Sequence, residues 1–211
     1  MYNLVFSTVL FNTPIEQLRS LIDSIHSLHI LLTDKFPRKY KLDLYILDNN
    51  SSNSINLSSL HLDSYDFNIS FNVIDSNLGY GCGHNYNYAN IPPSINKWFI
   101  PINPDVSFEG LQIYRFFEFI ISNENLTCAS PLIYLSDNSI QYSAKKNPTV
   151  LSLLTSRFPF LQIVKRLKLY LHNNQNRFMN YKMDLIEAPF LSGCFLAIPS
   201  NIYVKIGGFY N

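Results

Sequence analysis

The sequence predicts an α/β fold with a mostly parallel sheet and flanking helices, because strand-like apolar runs alternate with segments whose apolar residues recur at helical spacing. Residues 4–11 form a predominantly apolar run, which is typical of a buried strand. Over residues 15–32 apolar side chains recur at helical spacing, and residues 42–47 form a second strand-like run. A strand, a helix and a strand within about 45 residues predict a βαβ unit, whose two strands are parallel.

The amino-acid composition is that of a globular domain. The 211 residues are 47% hydrophobic and 15% charged, with a formal net charge of +1. Such a chain can bury the core of one α/β domain, and it is neither a disordered tail nor a coiled coil. No global positive field favours nucleic acid as a partner. We find no internal repeat and no linker, so we expect a single domain over residues 1–211.

Cysteine usage and the N-terminus predict a cytoplasmic protein. Cys82, Cys128 and Cys194 lie far apart and lack the close spacing of a zinc site or a redox motif. Buried thiols in a reducing compartment explain them most simply. The N-terminus has no basic segment of the signal-peptide kind, and no apolar run reaches the ~20 residues that a membrane span needs.

The remaining elements are predicted from periodicity and turn residues. The first helix is expected to begin with a capping box, in which Thr13 caps, Pro14 is the first helical residue and Glu16 reaches back. Further strands are predicted over 68–74, 98–102, 127–134, 139–143 and 187–198, and further helices up to Asn90, over 109–122, over 149–168 and over 199–206, the last capped by Gly207-Gly208.

Two carboxylates follow predicted strands. Asp48 follows the second strand, and Asp105 follows residues 98–102 within Asn103-Pro104-Asp105. In open parallel sheets, ligands bind at the carboxyl ends of the strands. A carboxylate there can hold Mg²⁺ or Mn²⁺, which in turn holds a diphosphate. Asn-Pro-Asp is also typical of a plain turn, and that alternative stays open.

A glycine-rich loop is predicted over residues 77–85, after the third predicted strand. Gly79, Gly81 and Gly83 stand at alternate positions, which lets backbone N–H groups approach a ligand closely. The helix that follows favours anions at its N-terminus. Both the spacing and the position along the chain differ from the dinucleotide fingerprint, which argues against a dehydrogenase.

Taken together, these motifs resemble glycosyltransferase family 2, and within it the rhamnosyltransferase-like branch of bacterial surface-polysaccharide (O-antigen, lipopolysaccharide) synthesis. The pieces stand in the family's order along nearly the whole chain. They are the first strand with Thr8 and Asn12, and segments 47–51, 77–85, 103–106, 141–143, 148–149, 191–195 and 207–209. The resemblance implies a GT-A fold, with residues 1–106 as the nucleotide-sugar-binding half and residues 107–211 as the acceptor-side half.

The resemblance also implies the roles of individual residues. Asp48 would accept a hydrogen bond from the donor's pyrimidine base, and Asp105 would bind the Mg²⁺ or Mn²⁺ that bridges the diphosphate. Gly193 would let its strand pass close to the donor or acceptor sugar. The other donor-binding residues implied are Thr8, Asn12, Asn77, Gly79, Gly81, Asn85 and Asn103.

The implied activity is inverting transfer of a sugar, rhamnose in this branch, from a nucleotide-diphospho-sugar such as dTDP-rhamnose to a polyprenyl-diphosphate-linked glycan or a polysaccharide. In the family, Gly-Gly-Phe precedes an acidic run that supplies the general base, whereas here Tyr210 and Asn211 alone follow Phe209. We therefore expect the base beyond Asn211, an incomplete acceptor-side half and negligible turnover. An inactive remnant that at most binds nucleotide sugar is one alternative, and a nucleotide-binding regulator is another.

A basic amphipathic stretch suits a membrane-bound acceptor. Residues 158–172 interleave aromatic and aliphatic side chains with Lys165, Arg166 and Lys168. Such a stretch can lie on an anionic surface, which predicts peripheral contact with the cytoplasmic face of the inner membrane. A surface helix packed on the domain is the alternative.

Overall fold

The computed structural model describes residues 1–36, 39–53, 55, 57–93, 97–123, 125–146, 181 and 184–210. The chain divides into two compact units, Met1–Pro131 with Gly193–Asn211, and Leu132–Ser192. The sequence-based boundary after residue 106 lies inside the first unit. The predicted helix over 149–168, the amphipathic stretch 158–172 and segment 148–149 lie outside the described residues.

The secondary structure of the described residues alternates strands and helices, as the sequence predicts. The strands are β1 (Tyr2–Leu10), β2 (Tyr40–Asn49), β3 (Asn68–Ile74), β4 (Lys97–Pro101), β5 (Ile133–Tyr134), β6 (Ile140–Gln141), β7 (Ala144–Lys145), β8 (Phe190–Leu191) and β9 (Ile198–Pro199). The α-helices are α1 (Ile15–Lys35), α2 (Gly79–Ala89), α3 (Gly110–Ser122) and α4 (Ser200–Lys205). Two short 3₁₀ helices, Leu57–Leu60 and Leu62–Ser64, precede β3.

A five-stranded sheet organises the first unit, with the strand order β3-β2-β1-β4-β9. β1 pairs in parallel with both β2 and β4, and β2 pairs in parallel with β3. β9 alone in this sheet runs antiparallel, against Trp98 and Phe99 of β4. The predicted α/β fold with a mostly parallel sheet is confirmed, and β1 lies at its centre.

One face of this sheet packs against α1 and α3 through apolar side chains. The Phe6 ring of β1 lies 5.8 Å from the Phe117 ring of α3 and 6.5 Å from the Phe195 ring, and all three residues are buried. Burying a side chain of this size contributes about 1.5–3 kcal/mol. The two helices approach closely at Gly110, where an added Cβ would lie 2.6 Å from the Ser27 carbonyl oxygen. Larger residues at Gly110 would therefore separate α3 from α1.

The opposite face packs against α2 through a buried polar cluster. The Ser7 hydroxyl lies 2.7 Å from His84 Nδ1, and Asn87 Nδ2 donates to that hydroxyl and to the Tyr45 carbonyl. Ser7, His84 and Asn87 are all fully buried. Gly83 lies directly over Val9, because an added Cβ would come within 2.8 Å of a Val9 methyl group. Hydrogen bonds and close packing thus fix α2 on β1 and β2.

The second unit contains two short antiparallel pairs, β5 with β6 and β7 with β8. The first pair turns at Asp137-Asn138, as predicted, and Asn138 has a φ of 61°. Asparagine tolerates this left-handed conformation better than most residues. The paired strands are shorter than the predicted runs 127–134 and 139–143. The predicted run 187–198 is divided into β8 and β9, with Gly193 between them.

The start of α1 differs from the predicted capping box. The helix begins at Ile15 after Pro14, whose ψ is 137°, and no side chain caps it. Thr13 Oγ1 instead accepts a hydrogen bond from the Phe11 N–H. The capping box is therefore wrong, because the hydroxyl turns back toward the end of β1. Among the described helices, none has both the length and the hydropathy to cross a bilayer.

Candidate functional site

The carboxyl ends of β1 to β4 meet at one edge of the sheet, because these four strands are mutually parallel. Of the ten predicted site residues, four lie in the loops after these strands, namely Asn12, Asn77, Asn103 and Asp105, and Asp48 lies at the end of β2. Asp48 is buried there, whereas Asn12, Asn77 and Asp105 are exposed. β1 stands between the strand that leads to Asp48 and the strand that leads to Asp105.

Asp48 closes the turn after β2. Its Oδ1 accepts a hydrogen bond from the Ser51 N–H at 2.9 Å, and Asn50 between them has a φ of 65°. The residue is only 3% exposed. Within the described residues, Oδ2 has no hydrogen-bond partner. That oxygen is an acceptor that Asp48 can still offer to a ligand.

Asn12 ties the loop after β1 to the loop after β2. Its N–H donates to Ser51 Oγ at 2.9 Å, and its Oδ1 accepts from the Ser52 N–H at 2.8 Å. Asn12 has a φ of 53°, a conformation in which asparagine is several-fold enriched among non-glycine residues. Asn12 therefore holds the neighbouring turn through backbone and side chain together, at the edge where it was predicted.

Asn49 is the residue of this edge that sequence reasoning missed. It is buried at 2% exposure, and its Oδ1 accepts from the Leu78 N–H at 2.9 Å. Its Nδ2 donates to Asn77 Oδ1, also at 2.9 Å. The one signal in the sequence was its place beside Asp48, at the end of a parallel strand.

The glycine-rich segment is helical, and the predicted loop conformation is wrong. Gly79 begins α2 with a φ of 78° and open space around it. An added Cβ at Gly81 would lie 3.0 Å from the Phe209 Cβ, and one at Gly83 would meet Val9. The second and third glycines therefore permit close packing of α2 against other parts of the first unit.

Asn85 is half-buried and hydrogen-bonded within the first unit, and Thr8 is buried in β1. Asn85 Oδ1 accepts from the Tyr203 hydroxyl at 2.5 Å and from the Phe209 N–H at 2.9 Å, and its Nδ2 donates to the Phe209 carbonyl. Gly208 fits against this amide because an added Cβ would lie 2.5 Å from Oδ1. Thr8 is 0% exposed within β1.

Asp105 projects from a turn at the end of β4. The Val106 N–H donates to the Asn103 carbonyl at 3.2 Å, while the Asn103 N–H donates to the Cys194 carbonyl at 2.9 Å. Asn103 is half-buried and Asp105 is exposed. The turn and the ligand interpretations are thus compatible, since the turn presents the carboxylate to solvent.

Asp105 could bind a metal ion that is also coordinated by a ligand, but it could not hold a metal ion by itself. In the described part of the chain, no three His, Cys, Asp or Glu side chains cluster into a metal site. Mg²⁺ commonly takes one or two carboxylates and completes its shell with water and phosphate oxygens. One exposed carboxylate at this edge is compatible with that arrangement.

Gly193 lies beside Tyr80, whose hydroxyl donates to the Gly193 carbonyl. An added Cβ would be 3.5 Å from the Tyr80 ring, which is ordinary contact, so the site does not demand glycine. The Tyr80 ring also packs edge-on to His84, with centroids 4.4 Å apart. Burial raises the pKa of Tyr80 above its usual range, so its hydroxyl stays protonated.

A surface concavity of about 420 Å³ lies along α1, away from these residues. Its lining includes Glu16, Arg19, Asp23 and Glu109 and none of the predicted site residues. The loops at the carboxyl edge, rather than this concavity, bring the predicted residues together.

Comparison with solved structures identifies the fold. The mannosyltransferase PcManGT from Pyrobaculum calidifontis, in complex with GDP-Man and Mn²⁺, superposes with a TM-score of 0.59 at 11% identity, over 98% of this chain and 47% of that chain. The chain has a GT-A fold. S. aureus TarS 1–349 in complex with UDP-GlcNAc matches this GT-A chain with a TM-score of 0.50 at 13% identity, over 68% of this chain and 38% of that one.

The GT-A chain described here therefore spans less than half the length of these two solved structures. No protein-family model matches its sequence, and no curated protein matches it either. At this level of identity, the likeness establishes the fold and leaves the activity to be argued from the site.

Proposed function

We propose that this GT-A chain binds a nucleotide-diphospho-sugar at the carboxyl edge of its sheet and serves glycosyl transfer. The observation that carries the proposal is the presence of two carboxylates at that edge, at the ends of two different strands. Asp48 is buried at the end of β2, and Asp105 is exposed beyond β4, one strand away on the other side of β1. To bind such a donor, a protein needs a hydrogen-bond acceptor for the base and, at a separate point, a ligand for the metal ion on the diphosphate.

Each part of the edge has a role in this proposal. Asp48 accepts an N–H of the nucleotide base through the oxygen that Ser51 leaves free. The loops held by Asn12 and Asn77 border the nucleoside. Asp105 would hold a divalent cation, Mg²⁺ or Mn²⁺, which stabilises negative charge on the leaving diphosphate when bound.

The finer assignment rests on the sequence resemblance. It comprises rhamnose as the sugar, dTDP-rhamnose as a candidate donor, a polyprenyl-diphosphate-linked glycan as acceptor and inversion at the anomeric carbon. O-antigen or lipopolysaccharide synthesis at the cytoplasmic face of the inner membrane is the corresponding setting. Gly193 stays the proposed acceptor-side residue, and Tyr80 lies next to it at this edge.

Saturation-transfer NMR with the 211-residue chain tests donor binding. The panel comprises UDP-glucose, UDP-GlcNAc, GDP-mannose and dTDP-rhamnose, each with Mg²⁺, and Asp48→Ala is the comparison variant. We expect transfer to the base and ribose protons of at least one donor, and its loss in Asp48→Ala. Absence of transfer from every donor would contradict the proposed function.

A further inference from the structure

The side chain of Asn49 contacts the turn that leads into α2 at three points. Oδ1 accepts from the Leu78 N–H at 2.9 Å, and Nδ2 donates to Asn77 Oδ1 at 2.9 Å and more weakly to the Gly79 carbonyl at 3.4 Å. Because one atom only accepts and the other only donates, these contacts determine the orientation of the amide. Asn49 is buried, whereas the turn that it holds is exposed.

Asn77 extends this contact into the first residue of α2. Its Oδ1 accepts both the Asn49 amide and the Gly79 N–H, the latter at 2.8 Å. Gly79 has a φ of 78°, and an added Cβ there would meet nothing within 4 Å. Packing around Gly79 therefore does not fix this residue, whereas the hydrogen bonds of Asn49 and Asn77 do.

The position of Asn49 in the chain couples this turn to Asp48. The two residues are adjacent at the end of β2, where Asp48 pairs with Val73 and Asn49 with Ile74 of β3. Asp48 Oδ1 holds the turn after β2, while Asn49 holds the turn after β3. Two successive buried side chains thus set both borders of the proposed nucleoside site.

We propose that Asn49 is a positioning residue for donor binding: it fixes the Asn77–Gly79 turn relative to the Asp48 carboxylate. This inference rests on the proposed function and deepens it. Asn49 need not touch the donor, because a side chain with such contacts acts by keeping the site in its binding geometry before the ligand arrives.

Two variants separate positioning from general stability. Asn49→Ala removes all three contacts, while Asn49→Asp keeps an acceptor for the Leu78 N–H and sets an oxygen against Asn77 Oδ1. Asn72→Ala is the matched control, since Asn72 lies on β3 of the same sheet and its Nδ2 contacts Ser70 Oγ at 3.4 Å. All measurements are made where urea unfolding shows each variant to be fully folded.

The readouts are calorimetric affinities for UDP, GDP and dTDP with Mn²⁺ and amide hydrogen exchange at Leu78 and Gly79. We expect both Asn49 variants to lose tenfold or more in nucleotide affinity, and Asn72→Ala to stay within about twofold of wild type. Exchange at Leu78 should accelerate at least tenfold in Asn49→Ala and stay unchanged in the control.

The outcomes distinguish the two proposals. If Asn49→Ala is folded and binds nucleotide as tightly as the wild type, the positioning role of Asn49 is wrong and the proposed function still stands. An equal loss of affinity in Asn72→Ala would also overturn it, since the effect would then follow general destabilisation. A wild-type chain that binds none of the three nucleotides would overturn both the proposed function and the role of Asn49.

Discussion

Single residues at the carboxyl edge act through backbone groups of neighbouring loops. Asn12, Asp48 and Asn49 each accept a hydrogen bond from an N–H that lies in a loop after a strand. Asp48 and Asn49 are also buried, and buried polar side chains are retained at little cost only when they are hydrogen-bonded. The edge is therefore held in one arrangement by short polar residues, which suits a site that must receive a polar ligand.

His84 predicts a dependence of stability on pH. Burial without a charged partner lowers the pKa of the folded His84 imidazole to about 3, from its ordinary value of 6.5. Between these pH values the unfolded chain binds a proton that the folded chain does not, so stability falls as the pH falls below 6.5 and is complete above it. The free energy of unfolding should drop by about 1.4 kcal/mol per pH unit in this window.

Urea unfolding at pH 7.5 and pH 5.5 measures this effect. His84→Asn should reduce the difference between the two pH values, because asparagine can still accept from Ser7 and does not titrate in this range. Equal pH dependence of the wild type and His84→Asn would show that other groups, such as His29 with its own lowered pKa, dominate.

We expect the Asp48→Asn substitution to change nucleotide recognition and to change the free energy of unfolding only slightly. Asp48→Asn keeps an oxygen for the Ser51 N–H, yet its amide orientation then points Nδ2 where the free carboxylate oxygen was. A donor in place of an acceptor should weaken binding of a base N–H about tenfold or more. Competition NMR among UDP, GDP and dTDP measures this change. If the relative affinities of the three nucleotides stay the same in Asp48→Asn, Asp48 does not contact the base.

The sequence predicted which residues lie at this edge better than it predicted the contacts that each of them makes. Asp48 and Asp105 were found because a carboxylate after a buried strand is a local pattern. The contacts of Asn49 and Asn85 could not be found, because their partners are far away in the chain: Asn85 meets Phe209 across 124 positions.

At the scale of elements, periodicity predicted the long parallel strands of the first unit better than the short antiparallel strands and the glycine-rich segment. β3 has the predicted bounds, Asn68–Ile74, and five of its seven residues are half-buried. The glycine segment was misjudged because Gly81 and Gly83 are selected by packing against Phe209 and Val9. Glycine lowers helix propensity by about 1 kcal/mol, so sequence alone favours a loop where tertiary contacts demand a helix.

Gly83→Ala tests that explanation. Alanine is the better helix former, yet its Cβ would lie 2.8 and 2.9 Å from the two Val9 methyl groups. We expect a loss of about 1–3 kcal/mol in the free energy of unfolding, measured with urea. Val9→Ala in the same chain should recover part of that loss, and a stabilised Gly83→Ala would contradict the proposed contact.

At the scale of the whole molecule, the sheet of the first unit is completed by residues distant in sequence. β9 pairs with β4, and Tyr203 of α4 packs on Phe99 with ring centroids 4.7 Å apart. Trp98, the one tryptophan of the chain, pairs with Pro199 and is 7% exposed. The first unit therefore depends on both of its segments, Met1–Pro131 and Gly193–Asn211.

Tryptophan fluorescence measures this dependence. The complete chain should emit as a buried indole does, at short wavelength, and a fragment of residues 1–131 should emit at longer wavelength and lose its cooperative unfolding transition. A fragment with wild-type emission and a sharp transition would show that β9 and α4 are dispensable for the sheet.

The central claim is that the carboxyl edge binds a nucleoside diphosphate together with a metal at Asp105. Calorimetric titration of UDP, GDP and dTDP, with and without Mn²⁺, tests it on the wild type, on Asp105→Asn, and on Asp66→Asn, an exposed carboxylate just before β3 at the opposite edge. We predict that Mn²⁺ strengthens binding tenfold or more in the wild type and in Asp66→Asn, and has no effect in Asp105→Asn. Equal affinities with and without Mn²⁺ in all three proteins, or a loss confined to Asp66→Asn, would contradict the claim.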